Sequence, residues 1–398
     1  MLDRSFNIIH GFILGILLLS ISFFYLTPIS IWIAGQTVGL ISSIFFIVNL
    51  KYIKKIKMKF TKEIIIFLLL FLVEAIISKY RYNQSWLDII LMLLPNLCLI
   101  LYFIINYYKI SNKKERIRKF FVNVSVILSG LIIFQAKIYE KFGVALLKIS
   151  YEGERLNKIR ITSGCYFVSI GMIITLAEIL NKKNSMKKRK KYVAFLLIEF
   201  IYMIDIVATR SLLMYLTISL FFMILLYNKQ LIKRIMIILG AIFISFILIN
   251  TTIFKSFISI SNDATEQWSN KIRVMAIEFY LEQIKEKPIF GTGLIKEKKE
   301  NVELFYYLRG PLGKYYKEDI GIIGFVNTYG IVGLICYLCL SIKMSKIVIK
   351  KFKINQQGEN FEFVGLYIFF IMCSISLIYT AAVQIIYLPF VLYLIEEK

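Results

Sequence analysis

A chain of 398 residues has room for two or three soluble domains, but 58% of them are hydrophobic and the mean hydropathy is +0.71, which excludes that class and places the chain in a membrane. The formal net charge of +24 is no nucleic-acid footprint, because the 49 Lys and Arg residues fall between apolar stretches and not along one surface. Cys98, Cys165, Cys336, Cys339 and Cys373 all lie in or at the ends of apolar stretches, so neither a disulfide framework nor a zinc site is expected.

Crossing a bilayer takes about 20 apolar residues, and counting such stretches predicts an all-α polytopic integral membrane protein of roughly twelve helices, a single membrane domain over residues 1–398. The first two spans, Phe6 to Leu26 and Ile29 to Leu50, meet at Thr27-Pro28 and lead to the basic run Lys51, Lys54, Lys55, Lys57, Lys59 and Lys62. The positive-inside rule puts that run in the cytoplasm. The first stretch is long for a signal-peptide core and ends without a small-residue cleavage site, so it is expected to stay as a span. Glu63 to Ser78 and Leu87 to Tyr108 return to a second basic loop, Lys109 to Lys119. Phe120 to Ala136 leads out to a loop holding Glu152, Glu154, Arg155, Lys158 and Arg160, and Thr162 to Leu180 leads back to the basic run Lys182 to Lys191. Tyr192 to Ala208 and Leu212 to Tyr227 meet outside at Thr209-Arg210-Ser211. Ile235 to Ile253 delivers the chain to a large outer loop, residues 254–319, and Ile320 to Leu340 returns it to the lysines from Lys343 to Lys353. Phe363 to Leu377 and Ala381 to Ile395 complete the set, with both termini expected in the cytoplasm.

The large outer loop mixes acids with lysines where the inner loops are almost purely basic. Trp268, Ile272, Met275 and Phe279 recur at helical spacing, predicting an amphipathic helix that Pro288 stops before Gly291 and Gly293 impose a turn. Glu318 and Asp319 then stand at the mouth of the next span, which contains Gly324, Gly330 and Gly333.

Three arginines fall on the outer side in this topology: Arg160, Arg210 and Arg273. A guanidinium fork binds phosphate oxygens bidentately and stays charged at any working pH, which suits a lipid diphosphate in the outer leaflet. The alternative is that they reach to lipid headgroups or pair with nearby acids, as Arg210 with Asp205. Glu318 or Asp319 can take a proton from an attacking hydroxyl, while Asp319 also suits a helix N-cap. Tyr306, Tyr307, Tyr315 and Tyr316 can stack on sugar faces or form an interfacial belt. Glu152 and Glu154 are spaced like metal ligands, but beside Arg155 and Lys158 they suit a solvated surface better. Glu74, Glu199 and Asp205 lie in apolar spans and need a partner or a wet cavity. His10 is the only histidine, and no Ser-His-Asp set can be assembled.

The ordered set Arg273, Pro288, Gly291, Gly293, Asp319, Gly330 and Gly333 resembles the O-antigen ligase and polymerase (Wzy-type) family of bacterial surface-polysaccharide enzymes. That family carries an Arg on a helix, a Pro and Gly-x-Gly turn, a polar residue at the head of a transmembrane helix, and a Gly-x-x-Gly within it; the junction at Arg210 is similar too. The ligase branch usually has His where this chain has Asp319, and the wording from Glu318 to Phe325 looks more like the polymerase branch found in capsule and exopolysaccharide clusters. The resemblance implies a glycosyltransferase of the bacterial plasma membrane that joins undecaprenyl-diphosphate-linked oligosaccharides on the outer face, with no metal, cofactor or nucleotide sugar. In that picture Arg210, Arg273 and, as a looser match, Arg160 hold the donor diphosphate, and Asp319, with Glu318 next in line, activates the acceptor hydroxyl. The implied partners are the donor and acceptor lipids, the bilayer, and polysaccharide-export or chain-length proteins. An O-antigen-type ligase is the same chemistry with another acceptor. A lipid-linked sugar flippase or other transporter is the rival from a different class, and it should show charges near the bilayer midplane and related halves, where these candidates cluster on one face.

The topology makes a direct prediction. Cysteine introduced at Lys296 should react with an impermeant thiol reagent in intact cells and cysteine at Lys188 should not; labelling at Lys188 alone would invert the orientation.

Overall fold

The computed structural model describes residues 11, 13–27, 29–53, 57–107, 113–149, 154–155, 158–228, 230, 232, 235–237, 264–298, 300–354, 361–376 and 384–396. Its helices are α1 (Ile31–Ile53), α2 (Thr61–Tyr82), α3 (Trp86–Tyr107), α4 (Lys113–Phe142), α5 (Cys165–Leu180), α6 (Met186–Ile201), α7 (Arg210–Tyr227), α8 (Ala264–Glu286), α9 (Val302–Arg309), α10 (Ile322–Ile354), α11 (Glu362–Cys373) and α12 (Leu388–Glu396). A two-residue hairpin, β1 (Glu154–Arg155) with β2 (Lys158–Ile159), is antiparallel. Helix α3 tightens to a 3₁₀ form over Leu94–Ile100, where Pro95 removes a backbone donor. There α1 comes close: a Cβ at Gly39 would fall 1.8 Å from the Leu94 carbonyl oxygen, so Gly35 and Gly39, one turn apart, let the two backbones meet.

Five helices are long and apolar enough to cross a membrane, namely Trp32–Lys51, Trp86–Tyr107, Lys114–Phe142, Arg210–Tyr227 and Ile322–Ile354, and Cys165–Leu180 and Glu362–Cys373 are shorter apolar helices. The chain is thus a polytopic all-helical membrane protein, with fewer such helices among the described residues than the roughly twelve expected from apolar stretches. Most of the predicted ninth span, Ile235 to Ile253, lies outside the described residues, as do the start of the first span, with His10, and part of the last. The outward faces are apolar as lipid requires: Ile47 and Val48 on α1 are 70% and 72% exposed.

Charged side chains tie neighbouring helices together. On one side Lys114 and Arg118 lie 3.3 and 3.4 Å from Glu362, Arg118 lies 2.9 Å from Glu178, and Lys343 lies 3.6 Å from Glu63. The Lys59 backbone N–H donates to Glu396 there at 2.7 Å. At the other end Asp88, at the start of α3, accepts from Lys296 at 2.9 Å and pairs with Lys298 at 2.6 Å, which ties the large loop to the bundle.

Helix α10 is broken at Gly330, whose φ of 63° and ψ of −164° belong to glycine alone. In an unbroken helix the amides of Ile331 and Val332 would donate to Asn327 and Thr328. They donate instead to Pro288 (2.8 Å) and Ile289 (3.2 Å), and the freed carbonyls of Asn327 and Thr328 accept from Thr292 (2.7 Å) and Gly293 (2.9 Å). No side chain fits between the two segments. A Cβ on Gly330 would lie 2.1 Å from the Ile289 oxygen, and one on Gly291 2.5 Å from the Asn327 oxygen. Arg81, at the end of α2, caps the turn from the other side by donating to the Gly291 carbonyl at 2.6 Å.

Gly330→Ala should therefore cost about 1–3 kcal/mol in backbone strain alone and loosen the turn without affecting insertion. Faster amide exchange at Thr292 and Gly293 in the variant is the expected readout; unchanged exchange would show that the break tolerates a side chain.

Candidate functional site

The predicted amphipathic helix is α8, but the face it buries is set by tertiary contacts more than by the apolar spacing alone. Ala276 and Tyr280 join Tyr315 and Ile320 in a small core, with Ile272, Met275 and Phe279 against it, while Trp268 is 47% exposed beside Lys271. Packing α8 on Ile320 brings it against the short 3₁₀ turn Lys317–Ile320, which carries Glu318 and Asp319. The tenth-span helix begins only at Ile322, with Gly321 between, so Asp319 sits inside the turn and not at the N-cap position.

Asp319 keeps part of its surface open to water but is crowded by protein on its other sides. That burial raises its carboxyl above the ordinary value; Arg273 opposes the shift, Glu318 adds to it, and Arg160 and Arg309 oppose it more weakly. Two of the three arginines singled out in the sequence thus act on the same carboxylate. Arg160 is further fixed by donating through Nε to the Val207 carbonyl at 3.3 Å and through Nη2 to the Thr209 hydroxyl at 3.1 Å. Thr209 is the residue before α7, whose first residue is Arg210, so Arg160 and Arg210 share one junction. A π turn over Tyr202–Val207 closes α6 and delivers the chain to that junction, with Ala208 at φ 47°. Arg273 and Arg160 acting on one carboxylate, with Arg210 at the junction that Arg160 joins, make a region suited to a dianionic ligand.

Lys317 and Glu318 turn to a different compartment. A cavity of about 500 Å³ lies between α1, α3, α9, α10 and the loop after Gly293, and both residues line it together with Arg309. Asp319, Arg160, Arg210 and Arg273 are not on its walls. Lys317 donates to the Thr292 hydroxyl at 2.8 Å and reaches that of Thr328 at 3.5 Å. Burial within the cavity wall pushes its ammonium down to about 7, against Glu318, with Arg309 and Lys287 adding to the fall. Of the adjacent acids of the sequence, Glu318 thus lines the cavity and Asp319 does not.

The four tyrosines do not form one cluster. Tyr315 is 2% exposed in the small core, and burial raises its hydroxyl. Tyr307 accepts from Lys287 at 2.8 Å, Tyr316 lies under the Arg309 guanidinium at 4.2 Å, and Tyr306 is exposed. Only Tyr306 and Tyr316 offer free ring surface, so a sugar-stacking role for Tyr315 has no physical basis. Asp205 lies 3.9 Å from Lys137, Ser125 donates to Glu199, and Glu74 is fully buried with both oxygens lacking a hydrogen-bond partner among the described residues. Glu152 lies outside the described residues, and among those described no three His, Cys, Asp or Glu residues are grouped to hold a metal ion. Gly333 sits against Tyr329, where a Cβ would fall 2.3 Å from that of the tyrosine.

Arg309 and Lys317 are the site residues that spacing alone does not single out. Lys317 directly precedes the acid pair, and that adjacency was the available signal; Arg309 has none short of the fold.

The family model described as O-antigen ligase matches residues 193–338. The match runs from α6 into α10 and contains Arg210, Arg273, Glu318, Asp319 and the four turn glycines, while Arg160 precedes it. No curated protein matches the chain.

If the arginine junction is an anion site, inorganic pyrophosphate should bind the purified protein, and Thr209→Val should weaken binding about tenfold, the weight of one hydrogen bond to a charged group (about 1.5 kcal/mol). Equal affinity by calorimetry would detach the Arg160 contact from the site.

Proposed function

We propose, for a chain that carries an O-antigen ligase domain over residues 193–338, that it polymerises lipid-diphosphate-linked oligosaccharide repeats at the outer face of a bacterial plasma membrane. The observation that carries this reading is that Arg273 and Arg160 both act on the Asp319 carboxylate, and that Arg160 is bonded to the junction where Arg210 begins α7. In the proposed reaction an acceptor hydroxyl gives its proton to Asp319 as its oxygen attacks the anomeric carbon of the donor. The bond from that carbon to the diphosphate oxygen breaks, and the electron pair leaves with the lipid diphosphate. Arg210, Arg273 and Arg160 stabilise that charge through paired hydrogen bonds, where an ammonium would supply charge without matching geometry. One direct displacement inverts the anomeric configuration.

A carboxylate in place of imidazole at position 319, and the run from Glu318 to Phe325, favour a polymerase. The family description favours a ligase, which would use the same residues with another acceptor. Deleting the gene separates them: single lipid-linked repeats persisting without polymer mean polymerase, whereas full-length polymer left on the lipid means ligase.

Arg273→Lys and Arg210→Lys should each lose most product while the protein inserts and accumulates normally; full product from both would remove the arginines from the site. Asp319→Asn should bind donor and make almost no product, with Glu318→Gln milder. Because burial raises the Asp319 carboxyl, the acid limb of the wild-type rate should lie above the range of an ordinary aspartate, with activity lost as pH falls through the raised value. A limb at the ordinary value, or full activity in Asp319→Asn, would send the search for the base elsewhere.

A further inference from the structure

The cavity beside the Lys317–Ile320 turn is not used by the reaction as drawn, and its charge balance differs from that of the arginine cluster. Each cation on its wall is already answered. Lys296 donates to Asp88 at 2.9 Å, and Arg309 donates through Nε to Glu297 at 2.7 Å. Lys317 bonds threonine hydroxyls and has Glu318 beside it. A diphosphate would have to break these pairs, whereas an uncharged ligand that both donates and accepts hydrogen bonds would not. The volume of about 500 Å³ is in the usual range of small-molecule sites.

The remaining walls are also those of a polyol site. Trp32, Phe325 and Tyr329 supply aromatic surface, and Asn96, Thr328 and Glu318 supply polar atoms between them. Behind Gly293, off the cavity wall, Glu74 keeps two buried oxygens with no hydrogen-bond partner among the described residues. A Cβ at residue 293 would come within 3.4 Å of Glu74 Oε2 and 2.3 Å of Ser78 Oγ, so glycine lets this part of the wall pack directly on α2. Aromatic faces with side-chain polar atoms between them match the apolar face and hydroxyl edge of a sugar ring.

We propose that this cavity is a subsite for an uncharged stretch of the acceptor saccharide, formed by Trp32, Asn96, Arg309, Glu318, Thr328 and Tyr329 and separate from the arginine cluster. The proposal rests on the reading of the chain as a glycan-transfer enzyme. It gives the two neighbouring acids different tasks: Glu318 holds the acceptor chain on the cavity side, and Asp319 meets its terminal hydroxyl on the arginine side.

Trp32 is one of three tryptophans, so Trp86→Phe with Trp268→Phe leaves it as the sole reporter. In lipid nanodiscs, the saccharide released by mild acid from the cell's own lipid-linked pool should change Trp32 emission saturably. Thr328→Val and Glu318→Gln, both close in shape to the native residues, should each weaken that binding at least fivefold. Arg273→Lys should leave it unchanged. No saturable change with the saccharide, or a change produced instead by inorganic pyrophosphate or by an alkyl chain such as decanol, would overturn the proposal. The reaction itself is judged separately: normal transfer in Arg273→Lys and Asp319→Asn would sink the catalytic reading while leaving saccharide binding to Trp32 intact.

Discussion

A helix that gives up two of its own hydrogen bonds must recover them or bear the cost of bare polar groups in or near a membrane. At Gly330 α10 recovers them from the turn after Pro288, donor for donor and acceptor for acceptor, and that exchange fixes the turn against the helix. The turn draws the end of α8 against α10, Asn327 donates to Gln283 of α8 at 3.0 Å, and the Lys317–Ile320 turn is held between them. From Pro288 to Gly333 the glycines make room for backbone, and the functional side chains stand on the frame they leave.

That frame sets charge where it can act. Asp319 is flanked by Arg273 and Arg160, and Arg160 is in turn pinned to the start of α7. Guanidinium groups that act on one place favour an anionic ligand, because each can meet it with a charged, paired hydrogen bond. Across the turn the same residue types are paired off, Lys296 with Asp88 and Arg309 with Glu297, and the charge cancels. The arginine side and the charge-balanced cavity therefore suit different ligands, an anion on one and an uncharged group on the other.

Much of this was legible in the sequence because membrane helices must be continuous and apolar. Helices α3, α7 and α11 begin within a few residues of the predicted spans, and the glycines, Pro288, Arg273 and Asp319 were visible as an ordered set. What was not legible depends on partners far along the chain. Tyr315 reads as a loop tyrosine until Tyr280 and Ile320 close over it. Trp268 reads as the first core residue of α8, yet the helix turns Ala276 and Tyr280 inward and leaves the indole outside. Glu318 and Asp319 read as one acid pair, and only the 3₁₀ turn separates their faces. Gly39 is dictated by the Leu94 carbonyl, which comes from a different helix and which no local period reveals.

In the proposed reaction glycan leaves a lipid diphosphate held by arginines and is joined to an acceptor in the same site. The most direct measurement is the stoichiometry of purified protein in proteoliposomes supplied with lipid-linked repeats carrying label in both lipid and sugar. One free lipid diphosphate released per new glycosidic bond, with neither formed alone, is the predicted result. Movement of labelled lipid across the bilayer with no diphosphate released would contradict the account and make the protein a transporter.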